Sequence, residues 1–301
     1  MEWIPMYIFM GGKNMGLFDF FKKNSNASRL FEDEQHSPLY FVVQKLQKCQ
    51  DATVLAELSR ILKEYIDNSK CMLVPYKPEN NGYRNRIVFE RGGMFVAIYS
   101  DDSEVQSSED VMMLDINEVM TTVFHDSQVA GIIIDPNTTG LCLEKGFLLK
   151  CIFHGYLPQT HYPATPPKDW GIGIPEYTQS DLMSDGELLN FAIHTVLDCE
   201  EKRHDLSIIS ACDHLNALPN LILEYDGHLA FVIVKGYCAE ATPALSNETL
   251  NLLRNYSKCF DATCYYAPVG FGSTDASRFD AWIALKGDGF YAKYTGLTKL
   301  F

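Results

Sequence analysis

The sequence predicts an α/β chain of the α+β kind: two mixed-sheet domains with helices packed on the sheets. Three observations lead there. The chain has 301 residues, about twice the length of a common domain. Apolar residues make up 47% of it, enough for a core in each half. Short apolar runs bounded by turn residues alternate with stretches of helical period. A segment at 156–182 changes character: Pro158, Pro163, Pro166, Pro167 and Pro175 fall there with Gly171 and Gly173. It reads as a semi-rigid linker, which leaves domains at 38–155 and 183–301 behind a leader and arm at 1–37.

Residues 1–14 read as a translated leader. Gly11-Gly12 is compatible with a ribosome-binding GGAGG a few codons before Met15, and MGLFDFFKK from Met15 reads as an amphipathic start. Glu2 in place of a basic region argues against a signal peptide. Met15-Gly16 imitates a myristoylation start, but Phe20 stands where Ser or Thr is wanted. The polar remainder up to residue 37 reads as a mobile arm.

In the first domain the spacing predicts a helix over about Pro38 to Gln50. A second starts at Asp51 as N-cap, with Leu55, Leu58, Leu62 and Tyr65 on one face. Cys71 to Tyr76 is a short strand, Pro78 to Gly82 a loop, and Met94 to Ser100 a buried strand ended by Asp101-Asp102-Ser103-Glu104. Asp115 and Glu118 resemble a capping box for a helix reaching about His125. Ala130 to Ile134 is a strand stopped by Asp135-Pro136, with Leu141-Cys142-Leu143 as its short partner. A helix over about Lys145 to Phe153 closes the half.

The second domain opens on a capping box, Ser184 with Glu187, before an apolar stripe of Leu189, Ala192, Ile193, Val196 and Leu197. LILEYDGHLAFVIVKG sets Asp226-Gly227 between two β-rich runs, a type I′ hairpin signal. A helix over about Ser246 to Lys258 and a strand over Ala262 to Pro268 follow. A second hairpin in WIALKGDGFYAKY, turning at Gly287-Asp288-Gly289, completes the order αββαβββ.

The net charge of −14 argues against a nucleic-acid backbone as partner, because phosphate binding needs clustered Lys and Arg. Between Arg91 and Lys145 there is no Lys or Arg, while Asp101, Asp102, Glu104, Glu109, Asp110, Asp115, Glu118, Asp126, Asp135 and Glu144 fall in that stretch. Such a segment is a solvated acidic face, a docking surface for a basic partner, or a divalent-cation site. Nine scattered cysteines without a CxxC pair fit reduced thiols in the cytosol. No apolar run approaches the ~18–20 residues of a membrane span.

Catalytic signatures are sparse. There is no Gly-x-Ser-x-Gly. Gly171-Ile172-Gly173 and Gly270-Phe271-Gly272-Ser273 lack the full phosphate-binding patterns and read as loops. Cys199, His204, Cys212 and His214 match no closed zinc spacing. Cys212 with His214 or His194 makes a thiol–imidazole pair only if the fold brings them together. Tyr265, Tyr266, Phe271, Phe279 and Trp282 read as core at strand positions, with an exposed subset as an interaction patch.

Residues 38–155 resemble the SseB family, on the paired leading helices, the VPY strand, GGMFVAIYSDDSE and GIIIDPNTTG. The resemblance implies a bacterial α/β module without an established catalytic set, found near polymorphic toxins as an immunity or binding module. The second half is similar, more faintly, to PD-(D/E)XK nuclease-like cores, with Pro219-Asn220 and Ile233-Val234-Lys235 at the motif positions. Asn220 and Ile233 replace both magnesium carboxylates, so the resemblance implies an inactive core unless Glu224 substitutes.

The expectation is a non-enzymatic binding or regulatory protein that meets a basic protein partner through an acidic face. Its binding residues are Ser100, Asp101, Asp102, Glu104, Asp135 and Asn137. No catalytic residue, metal, cofactor, nucleic acid or membrane is expected, and the location is cytoplasmic. The alternatives are a metal-dependent nuclease-like enzyme on the C-terminal domain and an immunity protein against a secreted toxin.

Overall fold

A computed structural model describes residues 2–6, 36–48, 52–79, 82–155, 157, 162, 165–170, 176–274 and 282–301. The expectations for Met15, Gly11-Gly12, the Asp51 cap, Gly171 to Gly173, Phe279 and part of the linker lie outside the described residues. The chain forms two compact units, Met1–Ile152 and Phe153–Phe301. Each is α+β with its own mixed sheet.

In the first unit, β1 (Glu2–Met6) is followed by α1 (Pro38–Lys48), α2 (Ala52–Asp67), β2 (Cys71–Glu79), β3 (Gly82–Glu90), β4 (Gly93–Ile98) and β5 (Val111–Asp115). Then come α3 (Ile116–His125), β6 (Val129–Ile134), β7 (Leu141–Glu144) and α4 (Lys145–Phe153). The sheet order is β5-β2-β3-β4-β6-β7, with β1 also against β3. Among the described residues of this unit only β4 and β6 run parallel; the other pairings are antiparallel. Three of the helices each bury one apolar stripe: Leu39, Val42, Val43 and Leu46 on α1; Leu58, Ile61, Leu62 and Tyr65 on α2; Ile116, Val119, Met120 and Val123 on α3. Ile132, Ile133 and Ile134 of β6 are all buried, as expected of a strand with both faces covered.

Three strands escape the sequence reading: β1, which falls in the stretch read as a leader, β3 and β5. β3 hides its alternation behind Arg84, Asn85 and Arg86, of which Asn85 and Arg86 are nonetheless buried. β5 is short and follows a long polar loop. The expected loop from Pro78 to Gly82 is instead the end of a hairpin, with Pro78 opposite Tyr83 and Glu79 opposite Gly82. Pro78 is tolerated because β5 pairs only as far as Pro75, leaving β2 one neighbour there. Asp115 does cap α3, through the amide of Asn117 at 2.8 Å.

The second unit contains α5 (Asp185–Glu200), β8 (Leu206–Ala211), β9 (Leu221–Tyr225), β10 (His228–Tyr237), α6 (Asn247–Phe260), β11 (Thr263–Ser273), β12 (Phe290–Tyr294) and β13 (Thr298–Lys299). Its sheet order is β12-β11-β10-β9-β8, with β13 beside β11. β8, β9 and β10 form an antiparallel meander, and α6 returns the chain so that β11 lies parallel to β10. The capping box forms: Ser184 Oγ accepts from the Glu187 amide while Glu187 accepts from the Ser184 amide at 2.8 Å. The hairpin forms as predicted, with Tyr225 opposite His228 and φ of +48° at Asp226 and +82° at Gly227. Leu188, Ala192, Ile193 and Val196 of α5 pack on Leu221, Leu223, Val232 and Val269. On the alternate face, Phe231 meets Phe260 of α6.

Three expectations need correction here. The order is αβββαβββ, because β8 escaped notice; Ser207, Ser210 and Ala211 dilute its pattern and a register shift between Ile208 and Ser210 breaks its alternation. The Trp282–Tyr294 hairpin does not form: β12 pairs with β11, Phe290 opposite Ser273, while Leu285 makes a single bridge to Leu182. Gly270 and Gly272 sit within β11 and not in a loop; a Cβ at Gly270 would lie 3.2 Å from the Tyr237 ring.

Candidate functional site

In open α/β sheets the loops at the carboxyl ends of parallel strands are where sites are built. In the first unit those ends are Ile98 of β4 and Ile134 of β6, opposite one another in register. All six residues named from the sequence leave the sheet at this end.

Asp135 is the first residue past β6 and is fully buried. Its φ of +53°, a region that Asp tolerates better than most residues, turns the chain. Its amide donates to Ile98 O at 2.9 Å, and its carbonyl accepts from Thr138 and Gly140. The carboxylate accepts the Ser100 amide at 2.7 Å and the Ser100 hydroxyl at 2.6 Å. Burial pushes its carboxyl up to about 6, against the pull of those two bonds.

Asp101 is treated in the opposite way. It too is buried, but it accepts from the amides of Ser103 at 3.0 Å and Ser37 at 2.9 Å, and from the Ser103 hydroxyl at 2.8 Å. Burial raises its carboxyl, and these donors outweigh that and hold it down to about 2. Asp102, exposed, is pushed up by the Asp101 carboxylate beside it and then by burial. Ser37 also donates its hydroxyl to Ser100 O at 2.5 Å and accepts from the Tyr40 amide at 3.1 Å, capping α1.

Asn137 belongs to a second cluster that the sequence did not disclose. Its Oδ1 accepts from Arg86 at 3.2 Å and its Nδ2 donates to Tyr99 Oη at 2.7 Å. Arg86 is buried within β3, and its guanidinium also binds the Glu109 carboxylate, which accepts from Tyr99 as well. The Tyr99 phenol is pushed up by burial, with Arg86 pulling it back. Glu104 accepts from Thr138, joining the two loops. The missed signal was Arg86 itself, a cation inside a run of strand-forming residues.

The geometry therefore sorts the acids. Asp101, Asp135 and Glu109 point inward and fasten loops. Asp102 and Asp110 are exposed and Glu104 is half-buried, so these three form the outward rim.

The second unit brings together a different set. Residues 186–300 match a family model described as a domain of unknown function, DUF8840. The matched segment runs from the first turn of α5 to the residue after β13. No curated protein and no solved structure matches the chain.

Within the matched segment, Asn220 is buried, and its Oδ1 accepts the Val234 amide at 2.9 Å. Ile233 is buried, while Lys235 and Glu224 are exposed; the Glu224 carboxylate lies 3.4 Å from Ser207 Oγ. His204 and Cys212 stand beyond opposite ends of β8, a six-residue strand about 20 Å long at ~3.3 Å per residue, too far apart to share one ion. Cys212 faces the backbone amide of His214, and burial pushes its thiol up, disfavouring a thiolate. Among the described residues no group of three or more His, Cys, Asp and Glu is placed to hold a metal ion.

What the segment does contain is a buried carboxylate. Glu200, at the end of α5, accepts from Tyr225 and Tyr294, each at 2.8 Å. His204 bonds Asp226 at 2.8 Å and lies 3.7 Å from Glu200. Both phenols are pushed up, by burial first and then by Glu200. His154 is buried with Nε2 at 2.7 Å from Pro219 O, so that nitrogen carries the proton, and Nδ1 accepts from Ser210 at 2.7 Å. Both arrangements use polar side chains as fasteners.

Proposed function

We propose that the chain is a non-catalytic binding or regulatory protein that presents the rim of Asp102, Glu104 and Asp110 to a protein partner with a basic surface. One observation carries this reading. In a stretch free of Lys and Arg, Asp101, Asp135 and Glu109 are committed to hydrogen bonds that hold the loops, Glu104 ties its loop to Thr138 from the surface, and Asp102 and Asp110 are left on the preformed edge. Pre-ordering lowers the entropy cost of binding, and the single sign of charge steers a basic partner. Free thiols at all eight described cysteines support a reducing, cytoplasmic setting. No described helix is long and apolar enough to cross a membrane. The SseB-like likeness supports the same reading.

The test replaces Asp102, Glu104 and Asp110 with Lys together and titrates the full chain with a fluorescent Lys-Gly-Lys-Gly peptide. Binding that is salt-sensitive and at least ten-fold weaker in the variant is expected. Equal binding by both proteins overturns the reading.

The metal-dependent nuclease alternative would have to act through Glu224 and Lys235, since Asn220 is tied to Val234. It requires Mg²⁺-dependent cleavage of DNA or RNA, abolished by Glu224→Ala.

A further inference from the structure

β5 is the terminal strand of the first sheet, and its ladder fixes which of its backbone groups are free. Tyr76 donates to Asp110 O and Ile116 donates to Lys70 O, each at 3.0 Å. In an antiparallel pair the exchanging positions recur every second residue. With Cys71 opposite Asp115 and Val74 opposite Met112, the exchanging residues of β5 are Met112 and Leu114. The N–H and C=O of Val111 and Met113 therefore point away from β2. Among the described residues, no strand and no hydrogen bond takes them up.

Natural edges are blunted by Lys, Pro or a bulge. β5 has no Lys or Pro, and its register runs unbroken from Cys71↔Asp115 to Pro75↔Val111. Met113 is 39% exposed, opposite the half-buried Leu73, so an adaptable apolar face adjoins the edge. Acids bracket it, with exposed Asp110 before the strand, and half-buried Asp115 and exposed Glu118 after it. The Cys71 thiol, raised by burial and then by the Asp115 and Glu118 charges, reports a negative field at that end. Of the lysines on the neighbouring strand's flanks, Lys70 is paired with Glu64 at 2.6 Å and Lys77 lies beyond the β5 pairing.

We infer that the outer edge of β5 accepts an extended protein segment as an added strand, one with an apolar centre and Lys or Arg at both ends. This deepens the acidic-rim reading and rests on it, since Asp110 serves both. The main-chain bonds of Val111 and Met113 supply affinity, and the flanking acids set the direction of charge. Five residues span about 17 Å at ~3.4 Å per residue, so the partner's basic residues stand about six positions apart.

The experiment uses fluorescein-labelled Lys-Lys-Val-Thr-Val-Thr-Val-Lys-Lys and the full chain, read by anisotropy. One comparator has both threonines replaced by Pro, another has Glu for every Lys, and a third carries N-methyl groups on its central amides. The protein variant is Met113→Pro, which deletes only an outward N–H and so spares the ladder. Binding of the parent peptide, weakened at least ten-fold by each comparator and by Met113→Pro, is expected. Equal binding of the Pro or N-methyl peptide overturns strand addition while leaving the rim reading standing, and does so even if Met113→Pro fails to fold. Equal binding by a folded Met113→Pro chain overturns it in the same way. Equal binding of the Glu peptide overturns the charge specification, and no binding of either Lys-bearing peptide overturns both readings.

Discussion

Ser100 and Asp135, 35 residues apart, are joined by two hydrogen bonds, from the Ser100 amide at 2.7 Å and its hydroxyl at 2.6 Å. The pair locks the carboxyl ends of β4 and β6 together at the point where the rim loops begin. A carboxyl fully buried here gives the protein a pH-dependent fastening.

The Asp135 carboxyl, raised to about 6, holds a proton in the folded chain at pH values where the unfolded chain has lost it. Its contribution is therefore full below the ordinary carboxylate range and is lost as pH rises through about 6. The shift corresponds to roughly 3 kcal/mol at ~1.4 kcal/mol per unit. Asp135→Asn should show little of this loss. The stability difference, Asn variant minus wild type, is expected to rise by that order between about pH 4 and pH 7 in urea titrations. A difference that stays flat would contradict it.

Asp101 carries the opposite sign. Its carboxyl is held down to about 2, so its contribution is present above the ordinary range and is lost as pH falls from about 4 to about 2. Asp101→Ala removes the buried acceptor that ties half-buried Ser37 and exposed Ser103 to this loop and should cost about 1–2 kcal/mol at neutral pH. The penalty should shrink in acid, as followed by circular dichroism.

Arg86 and Glu109 form a pair with a buried cation. Replacing Arg86 alone with Met leaves Glu109 with Tyr99 and Asn137 as donors but without its cation, and should cost about 3–5 kcal/mol. The double variant Arg86→Met with Glu109→Gln should recover part of that loss, giving a coupling in a double-mutant cycle. Additive losses would show that the two side chains stabilise the fold independently.

In the second unit two glycines should respond differently to alanine. A Cβ on Gly236 would lie 2.4 Å from the Leu188 carbonyl oxygen, pushing α5 off β10, at about 1–3 kcal/mol. Gly227 has open space around it but a φ of +82°, so its alanine variant meets no clash and carries only left-handed backbone strain, about 1–2 kcal/mol. Thermal melts of the two variants compare them directly.

Much of this was legible in the sequence because it is local. Helical stripes, the Ser184–Glu187 box and the Asp226-Gly227 turn follow from side-chain periodicity and backbone preference within a few residues. The α+β class followed likewise. β3, β5 and β8 were not legible, since Arg86, a short edge and a broken alternation each remove the period-2 signal.

Only the tertiary structure decided what the acids do. The sequence showed a stretch with carboxylates and no cation, and a uniform negative surface was its simplest meaning. Parallel pairing of β4 with β6 turned Asp135 into the interior, Arg86 drew Glu109 down, and Ser37 and Ser103 claimed Asp101. Ser103 is a local partner of Asp101, but Ser100, Arg86 and Ser37 lie 35, 23 and 64 residues from the acids they hold, a separation periodicity cannot see. The charge was written in the sequence; its division into inward fasteners and an outward rim was settled by long-range hydrogen bonding and burial.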